Sequence, residues 1–96
     1  MSRPAQFKFR LYVAGDGPNS AQAVANLNAL CQECLPERHE IEVIDVLREQ
    51  TRALADGVML TPLLVKLSPA PVRKITGTLS LREPVLQALG LPAPAR

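Results

Sequence analysis

Cys31-Gln32-Glu33-Cys34 sets two thiols three residues apart, the spacing of a dithiol that cycles to a disulfide or grips a metal ion. Redox use needs a thiolate, and a helix N-terminus supplies the positive dipole end that stabilises one. His39 follows five residues after Cys34 and is the single histidine, so Cys31, Cys34 and His39 offer three zinc donors. A structural zinc needs a fourth ligand, and the nearby Glu37 and Glu40 read as surface charges, so no metal site is expected. Thr61-Pro62 marks an X-Pro bond just ahead of an apolar run. Lys66, Arg73 and Lys74 form a basic group around a proline-rich turn. Such cations protect a sheet edge, or they meet an acidic patch on a partner, where arginine binds carboxylates bidentately. Nothing else resembles a reaction kit. There is no glycine-rich phosphate loop, one histidine would have to serve alone, and Asp16 and Asp45 lie far apart in sequence. No catalytic residue and no cofactor are expected.

The elements that must position these residues follow from periodicity. Phe7 to Ala14 alternates, with Phe9, Leu11 and Val13 on one face and Lys8, Arg10 and Tyr12 on the other, which predicts a strand. Gly15-Asp16-Gly17-Pro18 breaks it. Asn19 or Ser20 is suited to cap a helix that runs to Leu35 and stops at Pro36. Val24, Leu27, Cys31, Cys34 and Leu35 share its apolar stripe. The cysteines thus sit about three turns into the helix, at the negative end of its dipole and on its buried face. The sequence therefore predicts a structural pair. A thiol-disulfide oxidoreductase built on Cys31 and Cys34 is the alternative.

Ile41 to Val46 reads as a second strand, Arg48 to Asp56 as a short helix closed by Gly57, and Leu63 to Leu67 as a third strand. Val72 to Thr76 returns as a fourth. Ser80 and Glu83 form a capping-box pattern for a last helix ending at Leu89, with Gly90 as its stop. The order is βαβ, α, ββ, α. It predicts an α/β domain of the thioredoxin-like kind, a four-stranded mixed sheet with three helices and a right-handed parallel crossover. In that arrangement Pro62 takes the place of a structural cis-proline. The helix start at Pro18-Asn19-Ser20, where the redox thiols of such folds lie, has none.

Ninety-six residues allow one domain, with a core over about 7–91 and flexible ends at 1–6 and 92–96. Eleven basic and nine acidic residues are interspersed, and the only aromatics, Phe7, Phe9 and Tyr12, fall in one strand. A nucleic-acid surface would show a basic stripe with spread stacking rings, so no nucleic acid is expected. No apolar run approaches the ~20 residues of a membrane span. A cytoplasmic location, with reduced cysteines, is the expectation.

The residues also resemble a known family. Leu11-Tyr12-Val13-Ala14-Gly15 with Pro18-Asn19-Ser20, then Val43-Ile44-Asp45-Val46-Leu47, Thr61-Pro62, Lys66, Pro71-Val72-Arg73, Ile75, Leu79-Ser80 and Arg82-Glu83 follow the pattern of KaiB circadian-clock proteins over about 7–91. The chain departs from it at Gly57, where the family has lysine, and at Ala88 and Gly90, where it has glycine and aspartate. The resemblance implies a thioredoxin-like fold in the partner-binding state and a non-enzymatic role, binding and regulating a KaiC-like RecA-type ATPase or kinase in circadian or related signalling. It implies Lys66, Arg73 and Lys74 as partner contacts, and a dimer or tetramer as the homo-oligomer. It also implies a second fold reached by rearranging the C-terminal half. The capping residues and Ala88 favour the thioredoxin-like state here. A detached sensor module serving a histidine kinase is a further alternative.

Overall fold

A computed structural model describes residues 6–91. Its elements run β1 (Phe7–Val13), α1 (Pro18–Cys34), β2 (His39–Asp45), α2 (Gln50–Ala55), β3 (Leu63–Ser68), β4 (Arg73–Thr76) and α3 (Arg82–Leu89). The sheet order is β2-β1-β3-β4, with β1 and β2 parallel and the other two pairs antiparallel. This is the α/β, four-stranded mixed arrangement with three helices that the element order predicts. The flexible ends expected at 1–5 and 92–96 lie outside the described residues.

Alternation along β1 decides both cores. Phe7, Phe9, Leu11 and Val13 point to the side covered by α1 and α3, where they meet Leu27, Leu30, Cys31, Leu35, Val85, Leu86 and Leu89. Tyr12 points the other way, as its register requires. That side is not solvent, however. Tyr12 is buried with Ile44 and Val65 beneath Val46, Val58, Leu63 and Leu67. The α2 segment closes over Tyr12 on that side. Asp56, at the end of α2, accepts a 2.6 Å bond from the Tyr12 hydroxyl.

Helix starts also differ from expectation. Gly17 caps α1 and Pro18 takes the first turn, where its missing N–H costs nothing and its fixed φ suits the helix. Ser20 is therefore inside the helix, buried, with its hydroxyl turned back to Ala14. Asn19 and Ser20 do not cap. The Ser80/Glu83 capping box is likewise not formed. Leu79 is buried at φ 63°, Ser80 Oγ lies 3.0 Å from Thr78 Oγ1, and Leu81 becomes the cap residue without a side-chain bond. The helix still ends where expected, at Gly90 in the left-handed region (φ 68°).

Asp45 ties the ends of the parallel strands together. Its Oδ1 accepts N–H bonds from Gly15 and Leu47, both at 3.0 Å. Those two bonds hold its carboxyl below the ordinary 3.8, Gly15 first and Leu47 next. A folded pKa below the unfolded one means stability that is complete above the unfolded value and lost as pH falls through the folded value. The urea midpoint is expected to drop as pH is lowered from about 5 towards 3, and Asp45→Asn is expected to flatten that drop.

Candidate partner-binding surface

At one end of the sheet the chain brings together the start of α1 and the loop before β3. The Thr61–Pro62 peptide is cis and Pro62 is buried. Thr61 and Pro62 line a cavity of about 220 Å³ with Ala14, Gly17, Pro18, Asn19 and Ser20. No thiol, carboxylate or imidazole lines it.

Beside this loop the surface turns apolar. Leu54 is 80% exposed, Met59 90% and Leu60 66%. Leu54 and Met59 border a groove of about 380 Å³ whose floor includes Val46, Ala53 and Val58. Large side chains clustered in water at one spot mark a contact surface more than scattered ones do. Sequence reasoning passed over these residues. The signal was Met59-Leu60, an apolar pair outside any periodic element and directly ahead of Thr61-Pro62.

The three basic residues do not form one patch. Lys66 alternates with Leu64 onto the α1/α3 side of β3 and is only 4% exposed. Its Nζ donates to the Pro69 carbonyl at 3.0 Å and lies 5.9 Å from the centre of the Phe7 ring. Burial lowers its pKa, and neighbouring Arg73 adds to this. Lys66 is thus corrected from a surface contact to a group packed within the fold, its aliphatic stem lying against apolar neighbours. Arg73 and Lys74 remain exposed on β4, but as consecutive strand residues they project to opposite faces of the sheet.

The two cysteines are free and buried on α1. Burial pushes the Cys31 thiol up to about 12, with Cys34 adding to the shift, and burial raises Cys34 as well. His39 has its Nδ1 2.7 Å from the Leu35 carbonyl oxygen. Among the described residues no group of three or more His, Cys, Asp or Glu side chains is arranged to hold a metal ion. On the second face, Arg10 and Arg52 both contact Glu42, at 3.1 and 3.0 Å, and Arg10 and Arg52 reach Asp56 at 3.8 and 4.0 Å. This network fastens α2 to β1 and β2.

Comparison with known proteins matches residues 10–91 to a family model described as the KaiB domain. The chain belongs to the KaiB family. Circadian clock protein KaiB3 of Synechocystis sp. is 42% identical over 82 residues, which are 85% of this chain and 80% of that protein. Circadian clock oscillator protein KaiB of Cyanothece sp. is 44% identical over 85 residues, 88% of this chain and 81% of that one. Among solved structures, the N-terminal domain of Synechococcus elongatus SasA superposes with a TM-score of 0.69 at 21% identity, covering 94% of this chain and 89% of that one. Chloroplastic thioredoxin z gives 0.69 at 16% identity, covering 86% and 78%. The fold of this KaiB-family chain is therefore thioredoxin-like, while its cysteines lie at the far end of α1 from the thiol-free cavity by Pro62. Among the described residues of this KaiB-family chain no helix is long and apolar enough to cross a membrane.

Proposed function

We propose that this chain is a non-enzymatic interaction module that binds a KaiC-like RecA-type ATPase or kinase and regulates it, in circadian or related signalling. The observation that carries the reading is the exposed apolar group Leu54, Met59 and Leu60 beside the Thr61–Pro62 loop. In an oxidoreductase of this fold that end of the molecule would carry thiols. Here it carries water-exposed hydrophobic area with no reactive group among its lining residues. Arg73 and Lys74 add positive charge for an acidic patch of the partner. The frame is the thioredoxin-like one, with α3 helical from Arg82 to Leu89.

The test is size-exclusion chromatography of the purified chain with the KaiC homologue of the same organism, which also reads whether the chain alone is a dimer or tetramer. Co-elution is expected. Met59→Asp with Leu54→Asp is expected to weaken binding about tenfold or more without lowering the melting temperature, because both side chains already stand in water. Equal affinity of wild type and the double variant removes this surface from the site. Absence of co-elution sinks the reading.

A further inference from the structure

The sheet has two free edges, and the β4 edge is chemically distinct. The Gly77 N–H donates to the Pro62 carbonyl at 3.0 Å, which turns Gly77 inward towards β3. Backbone groups alternate sides along a strand, so Ile75 and Arg73 also point inward, matching their pairing with Leu64 and Lys66. The N–H and C=O groups of Lys74 and Thr76 therefore point outward from the sheet. No turn, cap or side-chain bond of the described residues reaches them.

Two further observations converge on this edge. Arg73, on the α1/α3 face, and Lys74, on the other, make no ion pair among the described residues, whereas Arg10, Arg48, Arg52 and Arg82 all do. Beside the edge, on the face that holds Ile75, lies a cavity of about 230 Å³ lined by Ile75, Leu79, Leu81, Pro84 and Val85 among others. Leu81 stands 71% exposed at its rim.

We infer that the β4 edge accepts an acidic extended segment of a partner protein as a fifth strand, with one apolar side chain seated in the cavity beside Ile75. Strand addition draws its affinity from main-chain bonds and its selectivity from side-chain sites at alternate positions. The edge fixes what those positions want. In an antiparallel segment the residue opposite Thr76 is small and polar, the one opposite Ile75 is apolar, and those opposite Lys74 and Arg73 are acidic. Thr-Leu-Glu-Glu satisfies this order. The inference shares Arg73 and Lys74 with the ATPase reading, but a peptide probe separates the two. Loss of ATPase binding with peptide binding intact leaves the edge site standing.

The probe is an acetylated, amidated peptide with Thr-Leu-Glu-Glu at its centre, titrated into the full chain at low salt and followed by amide NMR. Signals of Lys74 and Thr76 are expected to shift and become protected, and binding is expected to weaken with added salt. N-methylating the Thr and the first Glu, whose N–H groups would face β4, is expected to abolish binding. N-methylating the Leu and the second Glu is expected to preserve it. Arg73→Glu with Lys74→Glu is expected to weaken the probe about tenfold and to accept a Thr-Leu-Lys-Lys peptide instead, a swap that an unfolded variant would not produce. No binding at low salt, shifts centred away from β4, equal effects of the two methylation patterns, or equal binding of the lysine peptide to the unaltered chain each overturn the inference. Arg73 and Lys74 would then act only as edge protection.

Discussion

Phe9→Ala is expected to destabilise the domain by about 3–5 kcal/mol, a large share of the roughly 5–15 kcal/mol that keeps a domain folded. Phe9 is 1% exposed and stands at the centre of the larger core, between the β3 neighbour Lys66 and the Ile41 position of β2. Removing its ring deletes a large transfer term and leaves a void that close-packed neighbours fill only in part. Urea unfolding followed by circular dichroism gives the value. A loss under about 1 kcal/mol would mean that the core around β1 collapses freely, against the packing described here. The contrast with Met59 is informative. Phe9→Ala is expected to cost stability, whereas Met59→Asp with Leu54→Asp is expected to leave the melting temperature unchanged.

The second large effect concerns thiol reactivity. With the Cys31 thiol at about 12 against an ordinary 9.0, its thiolate fraction at pH 8 is lower by about three powers of ten. Alkylation by iodoacetamide is therefore expected to be about a thousandfold slower at Cys31 in the native chain than in the urea-unfolded chain. Peptide mass spectrometry of timed samples reads each cysteine separately. Cys34 is 8% exposed and raised as well, so it too is expected to react slowly. Rapid modification of Cys31, or insulin reduction that disappears in Cys31→Ser and Cys34→Ser, would restore the oxidoreductase alternative.

The strands were legible in the sequence because period-two patterning is a local property. Phe9, Leu11 and Val13 face one way in the chain's spelling and in its structure. What covers the opposite face is not local, and so the parity that Tyr12 shares with Lys8 and Arg10 carried no sign of its burial. Lys66 shows the same limit from the other side. Its parity with Leu64 places it towards the core, but residue type argued for the surface, and only the Pro69 carbonyl and the Phe7 ring reveal how the ammonium is accommodated. Helix caps failed where two local signals competed. Pro18 at the first turn outweighed the hydroxyl of Ser20, and burial of Leu79 displaced the start that Ser80 and Glu83 spell out. The exposed apolar group was the least legible feature. Leu54 belongs to a short helix and Met59 to a connector, and no periodicity joins the two residues that the fold brings beside one groove.

The two faces of the sheet differ greatly in what they bury. The larger core spans α1, α3 and, with the partly buried Ile41 and Ile75, all four strands, whereas the smaller rests on Tyr12, Ile44 and Val65 under a six-residue helix whose one buried side chain is Ala53. What fastens α2 beyond that is the Tyr12–Asp56 bond and ion pairs of partly exposed arginines, each worth little in water. Two tiers of cooperativity are therefore expected in the native state. The α2 segment is expected to open as its own unit at a lower free energy than global unfolding, with the sheet and the α1/α3 layer intact. Amides of α2, the segment that carries Leu54, are therefore expected to exchange hydrogen faster than those of β1, and equal protection of the two would mean a single cooperative unit.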